Sequence, residues 1–191
     1  IHILMITPRV DKDHDNHGFI HDWVATLAGK VDRLTVITLN KGSMDLPDNV
    51  QVRSVESRAN RLTKFLYLNR LFMRLIPQVD GVFTHMFPEF PIYVAPYTIL
   101  FRKKVVMWHT HGKITRQLQL ALKVVDYAVT ASQESLRVPS PKVQIIGHGI
   151  NTDKFKPRPR EHHSSLVLLT IGRIDIVKNL EAIVDVLEVL V

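Results

Sequence analysis

The residues here with chemistry in them are basic and imidazole side chains set beside glycines. Gly172-Arg173, with Lys178 five residues after the arginine, joins a planar fork of donors to a mobile ammonium, which suits phosphate oxygens. A helix beginning just beyond would add backbone N–H groups, whereas pairing with Asp175 or Glu181 would leave these cations merely solvated. His109-Thr110-His111-Gly112 puts two imidazoles at i and i+2, on one side of a strand, before a glycine that lets the chain turn. That pair could begin a metal site, but no cysteine is present and no motif places a carboxylate beside it, so no metal is expected. His85 ends another apolar run, where a lone histidine more often serves packing. The segment 8–18 carries Arg9, His17 and Gly18 towards a helix start and reads equally as an anion-binding or a solvated loop. Ser132 suits a helix cap, and Glu134, two residues on, suits the surface or an acceptor contact.

Alternating elements would position these residues. Runs 1–7, 34–39, 50–55, 81–86, 104–110, 127–132 and 142–147 read as strands, the first apolar enough to be buried on both faces. Between them, Ile20, Trp23, Val24, Leu27 and Ala28 recur at helical spacing and stop at Gly29, while 114–125 forms another helix and 133–137 a helical turn. The 86–104 connection carries Pro88, Pro91 and Pro96 and is expected to be helical only in pieces. Such alternation specifies an α/β fold with a doubly wound, Rossmann-like parallel sheet, whose ligands gather beyond the carboxyl ends of the strands. We expect a domain over 1–156 and a linker over 157–165 with Pro157, Pro159 and two adjacent histidines. The opening of a second Rossmann-like domain over 166–191 follows, with a strand at 166–172 and a helix presenting Leu180, Ile183, Val184 and Leu187 on one face.

Composition bounds the rest. The 191 residues are 46% apolar, ample for a core, and contain no cysteine, which fits a cytoplasmic protein. Nothing at the start has the layout of a signal peptide. A net charge of +7 calls for an anionic partner. Without a recognition-helix or aromatic-platform signature, nucleic acid is not expected to be that partner, although a basic nucleic-acid-binding module is the competing class of function.

The stretch 147–157, Gly-His-Gly-Ile-Asn-Thr-Asp-Lys-Phe-Lys-Pro, followed by a linker, an apolar run and Gly-Arg with Lys178, resembles the retaining GT-B glycosyltransferases related to glycogen and sucrose synthases. The resemblance implies a GT-B N-terminal domain, a crossing that contains His148 and Asn151, and a diphosphate clamp of Arg173 and Lys178. It implies transfer of a sugar from a nucleotide-diphosphate sugar to a carbohydrate or lipid-linked acceptor, with retention and with no cofactor beyond the donor. His111, with Gly112, would lie beside the donor sugar as the catalytic histidine, His109 and His85 would be neighbours in the cleft, and Glu134 would follow the strand-to-helix turn. Where that family usually carries a Gly-Gly pair facing donor phosphate or acceptor, this chain has His17-Gly18 after Arg9. The family's carboxylates fall beyond Val191, so the chain alone is expected to be inactive; a non-catalytic sugar-nucleotide fold is the alternative.

The segment 58–76 has five basic residues and no acidic one, with apolar residues nearly all round. Helical spacing puts Leu62, Phe65, Leu66, Phe72, Met73 and Ile76 on one face, with Arg70 and Arg74 opposite. Two readings stand: a core helix with solvated arginines, or a helix lying on an anionic membrane surface. The apolar face of 180–190 would need a cover, and self-association through it is one means.

Overall fold

The computed structural model describes residues 1–56, 60–153, 155–157, 159, 169–172 and 176–190. It divides into two compact units, Ile1–Gly149 and Ile150–Val191.

The first unit is built on seven parallel strands: β1 (His2–Val10), β2 (Arg33–Lys41), β3 (Val50–Ser54), β4 (Gly81–His85), β5 (Lys104–Trp108), β6 (Tyr127–Thr130) and β7 (Val143–Ile145). Their spatial order is β3-β2-β1-β4-β5-β6-β7, so the winding reverses between β1 and β4. Helices α1 (Phe19–Ala28), α2 (Arg61–Leu75), α3 (Glu89–Leu100) and α4 (Arg116–Val124) connect them. This is a Rossmann-like, doubly wound sheet. Leu4 and Ile6 of β1 join the core cluster that includes Phe72 of α2, Val94 of α3 and Leu118 of α4. Met5, between them in sequence, joins Ile20 and Val24 of α1 in the other cluster. Strand alternation thus sends neighbouring residues of β1 to opposite faces, and both faces are covered.

Several elements differ from the sequence reading. Strand β1 runs through Pro8 and Arg9 to Val10, pairing Arg9 with Asn40 and Val10 with Lys41. Its pairing with β4 ends at Ile6, so beyond that residue β1 has one partner and Pro8's missing donor costs no ladder bond. Helix α3 is continuous despite its prolines. Pro88 stands at its N-cap and Pro91 in its first turn, where an N–H has no intrahelical partner anyway. Pro96 lies on the exposed side, where the carbonyl it leaves unpaired can be hydrated. Residues 133–137 make a turn without a helix, so Ser132 caps nothing; its hydroxyl meets that of Ser135 at 3.1 Å.

Helix α2 begins at the capping box of Asn60 and Thr63, each side chain bonding the other's backbone N–H. Its buried side is rotated from the expected one. Leu68, Leu71 and Leu75 pack with Phe72 and Ile76 against the core, while Leu62, Phe65, Leu66 and Met73 are exposed. Arg70 and Arg74 are exposed as expected. A helix apolar all round does not announce which arc meets the sheet, and packing chose the one centred near Leu68 and Leu75.

In the second unit Asn151 accepts the Asp153 amide at 3.0 Å in a short turn, and Phe155 is 67% exposed. The strand expected over 166–172 is absent at 169–172, where Leu169 and Ile171 are exposed; the rest of it lies outside the described residues. A 3-10 turn, Ile176–Lys178, leads into α5 (Glu181–Leu190). Val184 and Leu187 of α5 are exposed, but so are Val186 and Val189, so its exposed apolar surface is not confined to one face.

Candidate functional site

A cavity of about 740 Å³ opens beyond the carboxyl ends of β1, β2, β4 and β5, within the range of small-molecule sites. It spans the point where the winding reverses, where connections on opposite faces diverge and leave a crevice. Ile37, Leu39, Leu68 and Phe72 line its apolar side. The β4–α3 connection contributes Met86, Phe87 and Glu89, and the segment after β5 contributes His109, His111, Lys113 and Thr115.

Two of the expected histidines meet here. His111 is exposed, and its Nδ1 accepts the Lys113 amide at 3.2 Å, which holds the ring across its own turn. His109 is buried, with Nδ1 2.9 Å from the Met86 carbonyl. That oxygen can only accept, so Nδ1 carries a proton. Burial lowers the pKa of His109 below its usual range, leaving the neutral ring, whose Nε2 is then an acceptor. The sequence reading made His109 a neighbour of His111; the structure puts both on one wall with defined tautomer chemistry.

Met86 is the feature the sequence did not disclose. Its φ of 75° lies in the left-handed region, costly for a side chain with a Cβ. Hydrogen bonds on both sides hold it, its amide donating to the Trp108 carbonyl at 2.9 Å and its carbonyl accepting from His109. Glu89, in the first turn of α3, is the only carboxylate among the described lining residues.

Gly112 lets this wall abut the 132–135 turn. A Cβ there would stand 2.8 Å from the Glu134 carbonyl oxygen, closer than side-chain carbons come to backbone. Glu134 is exposed, and its carboxyl lies below the ordinary range because its own amide and the Ser132 hydroxyl hydrogen-bond it.

The other candidates lie elsewhere. His85 is fully buried and faces α1, its ring 4.9 Å from that of Trp23 and its Nδ1 3.1 Å from the Thr7 hydroxyl. Its Nε2 has no hydrogen-bond partner among the described residues, and burial takes its pKa down to about 4. His17 lies near it, with a buried Nδ1 that has no partner among the described residues and a pKa lowered first by burial. Arg9 pairs with Asp11 at 3.7 Å, and Asp11 in turn accepts the Ser43 amide at 3.2 Å, stitching the ends of β1 and β2 together. Gly42 makes room for that carboxylate, since a Cβ there would fall 2.1 Å from it. Gly18 caps α1, its amide donating to His14 at 2.8 Å. None of Arg9, His17, Gly18 and His85 is among the residues lining the cavity. His148 is exposed and meets Trp108 edge-on at 5.7 Å. Asn151 and Lys178 belong to the second unit, with the Lys178 stem 3.9 Å from where a Gly172 Cβ would be; Arg173 lies outside the described residues. Among the described residues, no three His, Asp or Glu side chains converge as for a metal.

No known family matches the sequence, and no curated protein does. Solved structures match by fold. Anabaena HepE, solved with UDP and glucose, superposes on 83% of this chain with a TM-score of 0.58 at 14% identity. MurG of Acinetobacter baumannii covers 83% with a TM-score of 0.54, and UDP-GlcNAc 2-epimerase of Methanocaldococcus jannaschii covers 77% with 0.54, each at 11% identity. The chain spans about half of each, 47%, 50% and 45% respectively. The fold is of the GT-B type that these structures share.

Proposed function

We propose that this chain is the acceptor-side part of a retaining glycosyltransferase that moves a hexose from a nucleotide-diphosphate sugar to an acceptor hydroxyl. The observation that carries the reading is the cavity at the winding reversal, with His109 and His111 on one wall, in a fold similar to that of HepE, solved with UDP and glucose. In the reaction the bond from the anomeric carbon to the diphosphate lengthens, positive charge grows on the sugar and negative charge on the leaving group. Fixed cations at the diphosphate then do most of the catalysis, which is the part assigned to Arg173 and Lys178. His111, exposed at the cavity wall, would orient the sugar. The lone pair of His109 Nε2 would accept from a sugar or acceptor hydroxyl, its direction set by the Met86 contact. The acceptor hydroxyl gives its proton to the departing diphosphate oxygen as the new bond forms on the same face, so no enzymic nucleophile is required.

The test is transfer of labelled sugar from a panel of nucleotide-diphosphate sugars by the polypeptide that carries this chain. We expect turnover with one donor, and a loss of about a hundredfold in kcat on His111→Ala or Lys178→Ala with the fold intact, as for groups that act mainly in the transition state. The 191-residue chain alone should not turn over. Wild-type kcat in both variants would break the assignment. An altered nucleotide sugar without transfer would point instead to an epimerase.

A further inference from the structure

The outer side of α2 and α3 carries apolar surface that the core does not explain and that the cavity reaches only at Tyr93. Asn69 of α2 accepts a hydrogen bond from the Tyr97 hydroxyl of α3, which marks the seam between the helices. At about 100° per residue, Phe72 lies to the sheet side of Asn69, and Leu62, Leu66 and Met73 lie to its other side. They are 65%, 57% and 49% exposed. By the same count from Tyr97, the buried Phe90, Val94 and Thr98 lie to the sheet side and Tyr93, Pro96 and Leu100 to the other. Those three are exposed as well. Two apolar stripes therefore flank one seam and form a single patch across two helices.

Charge identifies what covers it. Arg70 and Arg74 follow the stripe along α2, and Arg102 and Lys103 follow the end of α3. No acidic residue occurs from 57 to 79, nor from 90 to 125, so the patch is flanked mainly by basic residues, with Glu89 at the start of α3 the one carboxylate in that helix. Among the described residues, no helix is long and apolar enough to cross a membrane. An apolar stripe rimmed by long cationic side chains, with a tyrosine at its margin, matches a surface that is anionic at its face and hydrocarbon beneath.

We infer that the α2–α3 surface docks peripherally on an anionic lipid bilayer, Leu62, Leu66, Met73, Tyr93 and Leu100 entering the headgroup boundary and Arg70, Arg74 and Arg102 meeting lipid phosphates. Docking needs no donor sugar, so it stands or falls separately from the transfer reading.

Co-sedimentation of the full chain with phosphatidylcholine vesicles, with and without phosphatidylglycerol, tests it. We expect pelleting with the anionic vesicles, reversal by high salt, and about fivefold weaker partition for each of Arg70→Gln and Arg74→Gln. Leu66→Ser with Met73→Ser should weaken partition further at an unchanged unfolding midpoint, because both side chains are exposed. Failure to pellet, equal partition to neutral and anionic vesicles, or full partition by the double serine variant would each overturn the proposal. So would a dimer at sedimentation equilibrium that the same variant dissolves, since the patch would then be covered by a second copy.

Discussion

His85 and His109 stand at the ends of neighbouring strands, both buried, yet they belong to opposite kinds of surface. His85 is sealed on the α1 side among Trp23, Phe83 and Phe19, with one ring nitrogen unpartnered among the described residues and no place on the cavity wall. His109 turns to the other side, donates a hydrogen bond from Nδ1 to the Met86 carbonyl and lines open space. Burial lowers the pKa of both, but in His85 it leaves a cost without a ligand-facing atom, and in His109 it fixes a tautomer at a cavity. A depressed imidazole pKa therefore does not by itself mark a site; what the second nitrogen faces decides.

The sharpest way to break this contrast is to open the closed side. Trp108 is 3% exposed and its ring lies 4.9 Å from that of Trp23, so Trp108→Ala should cost about 4 kcal/mol in denaturant unfolding. A cost below about 1 kcal/mol would mean that this side is not packed as described.

Next in size is a pH effect. The His85 ring protonates near its ordinary 6.5 in the unfolded chain and at about 4 in the folded one, so between these values the unfolded state binds the extra proton. Stability from this group is complete above pH 6.5 and is lost as pH falls towards 4, by about 3 kcal/mol, with His109 adding in the same direction. Unfolding curves across that window should show the slope, and His85→Gln should flatten most of it. A slope that survives the substitution would move its origin to other groups.

The smallest effect belongs to the open side. Tyr93 is 61% exposed while lining the cavity, so Tyr93→Ala should change stability by less than about 0.5 kcal/mol. A larger loss would show the cavity wall to be part of the core after all.

How much of this was legible in the sequence follows the same division. The strands, their alternation with helices and the end of α1 at Gly29 were readable because buried parallel strands are continuous apolar runs and a glycine often follows a helix. Helix α3 was hidden by its prolines, whose positions relative to the first turn and to solvent only the fold supplies. The buried arc of α2 was misplaced because residues all round it are apolar. Of the histidines, His109 and His111 did fall together on one wall, as their spacing at a strand end suggested. No local signal distinguished His85, which also ends a strand, because its burial comes from α1, more than sixty residues earlier. Nor does the sequence around Met86 announce its left-handed backbone, which arises from bonds to the strand beside it.

The join between β1 and β4 also sets a timetable. Thr7 and His85 meet across 78 residues of chain, and Ile3 through Ile6 find their β4 partners only there. At typical rates of synthesis, about 4–16 s separate the emergence of these two strands from the ribosome. Throughout that interval β1 has β2 on one edge and an unpaired edge on the other, an open template for a second chain. The step that completes the cavity is thus the one that closes the sheet's most widely separated strand pair, and a defect in β4 should appear first as insoluble protein.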